Sequence, residues 1–191
     1  KKLVGGILAT GLDFGPDGAL YMGDWIDGWG THDYGRIWKM DDKQGAMQAD
    51  RQRTKTLLVA DLSKYADAAL GELLNNPDMR VRLKSQFELV KRGSAGIAVF
   101  EKALGQTVNQ LARVHAIWGI SQLARKDKKK ASLLFPLLKD KDTEIRAQSA
   151  KWLGDMRSKE AGNYLIPLLK DTSSRVRFFA AEALGRAAYE P

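Results

Sequence analysis

The 191-residue sequence has no cysteine, and that one absence removes several chemistries at once. No disulfide framework, thiolate zinc site, cysteine nucleophile or CxxCH haem attachment can be built from these residues. Long apolar runs are missing too: nothing approaches the ~20 residues that a membrane-spanning helix needs. Lys1-Lys2 is followed by a glycine-broken stretch, Leu3 to Gly11, too ragged for the apolar core of a signal peptide. A disordered or collagen-like chain is excluded by composition, since 44% hydrophobic and 28% charged residues are ordinary for a globular chain able to bury a core. The chain starts at Lys1 without an initiator Met and reaches its first clear pattern almost at once, so it reads as a piece of something longer.

What is present is unevenly spread. The formal charge is +8, yet residues 1–60 hold 8 basic and 8 acidic side chains, so the whole excess falls after residue 60. The same 60 residues hold 10 of the 18 glycines and three tryptophans, Trp25, Trp29 and Trp38. Two unlike segments, 1–60 and 61–191, are expected.

The opening segment reads as strands and turns. Leu12-Asp13-Phe14 alternates, and Gly15-Pro16-Asp17-Gly18 supplies a turn in which Pro presets the backbone and Gly accepts a positive φ. Ala19 to Trp25 alternates again with apolar residues on both faces, as in a buried strand, and Gly35 to Met40 supplies a third strand. Three short strands cannot stand alone in water, which predicts one sheet of a larger assembly. Met40 to Lys55 is polar and reads as a connector.

Leu12 to Tyr21, then Asp24-Trp25, Gly28-Trp29 and Gly35-Arg36-Ile37-Trp38, resemble the last blade of a β-propeller of the glucose/sorbosone dehydrogenase type. The likeness is greatest to the large bacterial membrane-bound dehydrogenases, or PVC-type haem-binding proteins, in which such a propeller is followed by HEAT repeats and often by a cytochrome c domain. The resemblance implies a parent that oxidises a sugar or related alcohol outside the cytoplasm, periplasmic or extracellular. It also implies pyrroloquinoline quinone and calcium in the propeller, and haem c in a domain these cysteine-free residues do not include. Catalytic residues cannot be carried over, because the blade with the general base would precede Lys1.

From Asp61 the apolar period lengthens from two to about 3.6. Pro136/Pro167, Leu137/Leu168, Leu138/Leu169, Lys139/Lys170, Asp140/Asp171, Ile145/Val176, Arg146/Arg177, Leu153/Leu184 and Gly154/Gly185 all lie 31 positions apart. Val81-Arg82 and Val114-His115 take the same place in two earlier copies, at spacings of 33 and 31. Such a period means helix pairs that bury their apolar faces only by stacking. The pattern resembles HEAT repeats, with pairs expected at 65–75 with 78–91, 95–104 with 108–124, 129–139 with 143–153, and 161–170 with 175–187. The fold class is therefore mainly α: an α-solenoid of about four helix pairs behind a small antiparallel β segment.

Asp78, Thr107, Asp142 and Ser173 stand where caps for the second helices belong. Pro136 and Pro167 should kink or restart the first helices. Arg82, Arg146 and Arg177 follow Asp78, Asp142 and Ser173 by four residues, and the favoured reading is a structural ladder within each repeat, with a binding role as the alternative. His115 is read as a structural stand-in for Arg in that slot.

For chemistry, Asp13, Asp17, Asp24, Asp27 and Asp33 lack calcium-loop spacing, so no metal is expected in these residues. His32-Asp33 has the composition of a general-base pair but no accompanying nucleophile motif. Trp25, Asp27, Trp29, His32 and Arg36 could line a pocket for a sugar or flat cofactor, or the tryptophans could pack between blades. Lys126 and Lys128 to Lys130 form a basic patch interrupted by Asp127 and without interleaved aromatics, which disfavours nucleic acid as a partner. These residues alone are read as a scaffold whose solenoid surface takes a protein partner or neighbouring domain, with no cofactor of their own. A propeller and solenoid that bind protein or polysaccharide without turnover is the alternative, and a nucleic-acid-binding array a third.

Overall fold

The computed structural model describes residues 4–26, 30 and 33–190. The chain forms two compact units, Lys1–Ala60 and Asp61–Pro191.

In the first unit, β1 (Ala9–Phe14), β2 (Leu20–Asp24) and β3 (Arg36–Met40) form an antiparallel sheet in the order β1-β2-β3. The β1–β2 turn forms on Gly15 to Gly18. Gly18 N–H donates to Gly15 O at 2.9 Å, Gly18 takes φ 73°, and Asp17 Oδ1 accepts from Ala19 N at 3.2 Å. Opposed residues share a face, so Leu12, Met22 and Trp38 stand together, as do Phe14, Leu20 and Met40. Met22 is buried, but Leu12 and Phe14 are more than half exposed. The expected strand buried on both faces is therefore β2 alone in part: its neighbours leave their apolar side chains open.

The polar stretch before Ala60 is not an irregular connector. It forms a 3-10 turn, Gly45–Met47, and then α1 (Ala49–Val59). From Ala46 on there is neither Gly nor Pro, and Ala, Arg, Gln, Lys and Leu all favour helix, so polarity here marks solvation rather than loop. Arg51 reaches from α1 to the hairpin, donating to Asp17 O and pairing with Asp41 at 2.7 Å.

In the second unit, α2 (Asp67–Leu73) pairs with α3 (Met79–Lys91), and α4 (Ser94–Gly105) with α5 (Gln110–Ala124). The third pair opposes 3-10 segments Lys128–Leu134 and Pro136–Lys139 to α6 (Thr143–Asp155). The fourth opposes the 3-10 segment Lys159–Ala161, α7 (Gly162–Leu165) and the 3-10 segment Ile166–Lys170 to α8 (Ser174–Arg186). The first helices expected over 129–139 and 161–170 restart at their prolines as expected, but the segments are largely 3-10 rather than α. Pro136 cannot donate to Ser132 O, and Phe135 N takes that carbonyl at 3.1 Å, which tightens the turn to 3-10 geometry before the helix restarts at proline.

Leu70, Leu74, Leu89, Phe100, Ile117, Ile120, Leu134, Leu138, Ile145, Leu153 and Leu165 are fully buried between the helices. The backbones of α6 and α8 approach closely. A Cβ on Gly154 would lie 2.6 Å from Ala183 Cα, whereas one on Gly185, at the same repeat position, would meet nothing. Gly154→Ala should therefore cost about 1–3 kcal/mol in urea unfolding, since the helices must separate. Gly185→Ala should gain about 0.5–1 kcal/mol from helix propensity.

Candidate functional site

Each second helix opens on a cap. Asp78 accepts from Arg80 N at 2.8 Å, Asn109 from Ala112 N at 3.1 Å, and Asp142 from Glu144 N at 2.8 Å. Ser173 holds the cap position of α8 without a side-chain cap bond, and Thr107 is displaced from that role by Asn109. The caps at 78, 109, 142 and 173 fix the true repeat register, with spacings of 31, 33 and 31. In this register the second-pair equivalent of Arg82, Arg146 and Arg177 is Arg113. His115 lies two residues further on and does not occupy the arginine slot.

These arginines do not pair with the cap four residues back. Arg82 Nη1 donates to Asn76 O and Pro77 O at 2.6 and 2.8 Å, Arg146 Nη1 to Asp140 O and Lys141 O at 2.8 and 3.1 Å, and Arg177 Nη1 to Asp171 O and Thr172 O at 2.8 and 3.1 Å. Two of the four also reach into the following pair. Arg113 forks onto the Asp140 carboxylate, and Arg146 onto Asp171 through Nε and Nη2 at 2.8 and 3.0 Å. Each acceptor carboxylate binds its own loop too, from Asp142 N and Ser173 N, both at 2.9 Å. The links within each repeat thus run to carbonyls rather than to the caps, and at Arg113 and Arg146 they extend to the next repeat.

The electrostatics follow the geometry. The Arg146 fork holds the Asp171 carboxyl below its ordinary value and raises the Arg146 guanidinium in turn. At Asp140 burial opposes ionisation, but the Arg113 bonds and the Asp142 amide bring its carboxyl below the usual range. Arg82 has no such partner, because Thr107 stands where Asp140 and Asp171 do. Its buried Nε has no hydrogen-bond partner, and burial lowers its pKa. His115 Nδ1 lies 2.8 Å from Gln86 Oε1, and burial with the nearby Arg82 charge pushes its pKa down to about 4.

On the solvent side, the second helices present a row of aromatic and cationic groups. Phe87 on α3 is nearly half exposed. Trp118 on α5 stacks 4.9 Å from His115 and donates to Gln148 Oε1 at 3.0 Å. Trp152 on α6 lies under Lys151 at 4.4 Å and Arg125 at 5.6 Å, and its Nε1 lacks a partner. On α8, Arg175 sits 5.0 Å over the Phe179 ring while pairing with Glu144. Phe87 and Trp118 share one repeat offset, nine residues after their caps, but Trp152 and Phe179 fall at others, so no single period marks the row.

Of the pocket candidates of the first unit, Asp27, Trp29 and His32 lie outside the described residues. Trp25 is exposed beyond the end of β2. Arg36 lies 5.6 Å over the Trp38 ring, and both line an open hollow of about 540 Å³ with Val4, Ile7, Met22 and Met40. Asp24 is committed to structure, accepting from Trp38 Nε1, Leu8 N and Ile26 N, which together hold its carboxyl low. Asp17 is likewise held low, chiefly by Lys39 at 2.7 Å. Among the described residues no three His, Asp or Glu side chains cluster as metal ligands. In the basic patch, Lys130 is paired with Asp127.

The two pKa patterns predict separate pH windows. Asp171, depressed in the fold, contributes stability that is present above its unfolded value of about 3.9 and lost as pH falls. Asp171→Asn should therefore lose about 1.5–3 kcal/mol at pH 6 and show a shallower decline below pH ~4. His115 stays neutral in the fold until pH about 4 while the unfolded chain protonates near its ordinary 6.5, so stability should fall with pH across that interval. His115→Gln should flatten that part of the curve, as followed by urea unfolding from pH 7 to 3.

Residues 131–191 match the family model described as HEAT repeats. Human deoxyhypusine hydroxylase, solved in complex with glycerol, has a similar fold, with a TM-score of 0.52 and 19% identity over 66% of this chain and 45% of that one. The chain thus spans under half the hydroxylase's length. An engineered protein aligns at a TM-score of 0.46 and 20% identity, over 74% of this chain and 75% of that one. A designed armadillo repeat protein in complex with the peptide (KR)4 aligns at 0.45 and 16%, over 74% and 77%. No curated protein matches the sequence significantly. Stacked helix pairs and the repeat register make the second unit an α-solenoid, and its last two pairs are similar to HEAT repeats.

Proposed function

We propose that the helical unit is a binding scaffold that takes a protein partner across the solvent side of α3, α5, α6 and α8. The observation that carries this reading is the row of Phe87, Trp118, Trp152 and Phe179 flanked by Arg125, Lys151 and Arg175. Aromatic and arginine side chains are the usual energetic centres of protein interfaces, and a partly open tryptophan ring offers apolar area to a partner. A photo-crosslinking residue placed at Phe87 or Trp152 should capture one common set of partner proteins in the native host, while the same residue at Tyr164, exposed on α7, should not. Equal capture from all three positions would overturn the reading.

A second reading concerns the parent protein and draws on the first unit. An antiparallel sheet whose Leu12 and Phe14 side chains are open supports a place in a larger β assembly. With the dehydrogenase-like motifs, this favours a parent that oxidises a sugar or alcohol in the periplasm, with the propeller outside these residues supplying the cofactor site. Supplied with pyrroloquinoline quinone and calcium, the full-length protein should reduce an artificial electron acceptor with at least one of a panel of sugars. No reduction with any of them would end this reading in favour of binding without turnover.

A further inference from the structure

The last helix exposes a surface that the second and third pairs have covered. At the fifth position after the cap, Val114 on α5 and Ala147 on α6 are buried by the following pair, while Phe178 on α8 is 63% exposed. At the eighth position Ile117 and Ala150 are fully buried, and Ala181 is open. Gly154 admits Ala183 into close contact, and its counterpart Gly185 faces open space. Arg113 and Arg146 each fork onto a carboxylate in the next loop, whereas Arg177 makes the two carbonyl bonds of its own loop and, among the described residues, no ion pair. Apolar side chain, glycine seat and half-used guanidinium all lie on one side of α8.

We propose that this face of α8 docks one more helix pair of the same kind, carrying an Asp or Glu at the loop position of Asp140 and Asp171 and a small residue at the position of Ala183. The argument is continuity with the α6–α8 interface: the same residue positions, presented in the same order, stand complete at one junction and unfilled at the next. A carboxylate in that place closes the Arg177 fork as Asp171 closes that of Arg146, with bidentate geometry that a lysine or amide partner would not match.

The chain's own fourth pair serves as the probe. Residues 160–190 are appended after Glu190 in place of Pro191, which keeps the 31-residue spacing. Amide exchange in α8 should slow at least tenfold, and the gain should shrink when the appended copy of Asp171 is changed to Ala or when Gly185→Val blocks the approach. Unchanged α8 exchange overturns the proposal, and so does an appended copy that stays unfolded, because the same pair folds against α6 in the parent chain. Sedimentation of the unextended chain separates the other occupant. A monomer is expected, and a dimer dissociated by Phe178→Glu would make a second copy the occupant and overturn the proposal.

Discussion

The solenoid depends on one side chain placed four residues after each cap. A helix pair joined by a short loop leaves loop carbonyls without intrahelical partners, and buried carbonyls must be satisfied. An arginine on the first turn of the second helix reaches back to them: Arg82, Arg146 and Arg177 each bond two loop carbonyls through Nη1, and Arg113 bonds Leu104 O through Nε. Its remaining nitrogens then point toward the next pair. At Arg113 and Arg146 they meet a carboxylate that is itself bonded to its own loop amide, so a single guanidinium ties two loops into one frame. Side chains of 8% and 14% exposure hold these forks, where solvent competes little and removal of either partner would strand a charge.

The links are unequal along the stack. Between the first and second pairs the acid is replaced by Thr107, Arg82 keeps an unpaired Nε, and the neighbouring His115 is held neutral by burial and by that same charge. Here the pairs are joined instead by neutral contacts, such as Gln86 to His115. Cohesion from the second pair onward has ionic forks that the first junction lacks, so local opening is expected to be easiest at the start of the unit.

Between the last two pairs, close approach adds to the fork. Gly154 lets the α8 backbone reach van der Waals contact, and Glu144 and Asp155 pair across the junction with Arg175 and Arg186. The excess positive charge of the sequence is partly absorbed in this way. It does not produce a basic groove, because the cations nearest the aromatic row are balanced by carboxylates or rest on rings.

The amino-acid sequence by itself determined the repeat, the number of pairs and the turn at Gly15 to Gly18, because periodic burial and the backbone needs of Gly and Pro are written residue by residue. It also announced arginine as a recurring element. It misplaced the second pair: a junction longer by two residues made Val114-His115 look equivalent to Val81-Arg82, and only the cap bond to Asn109 rather than Thr107 restores Arg113 to its slot. Polarity hid α1, and proline signalled a restart without revealing that the first helix of the third pair becomes 3-10 throughout and that of the fourth in most of its length. The fork partners were illegible because Arg146 and Asp171 lie 25 residues apart and meet only when one pair stacks on another. The aromatic row across α3 to α8 likewise has no single spacing. Local preference is carried in the chain, but which guanidinium finds a carboxylate, and which face is left open, is set by stacking.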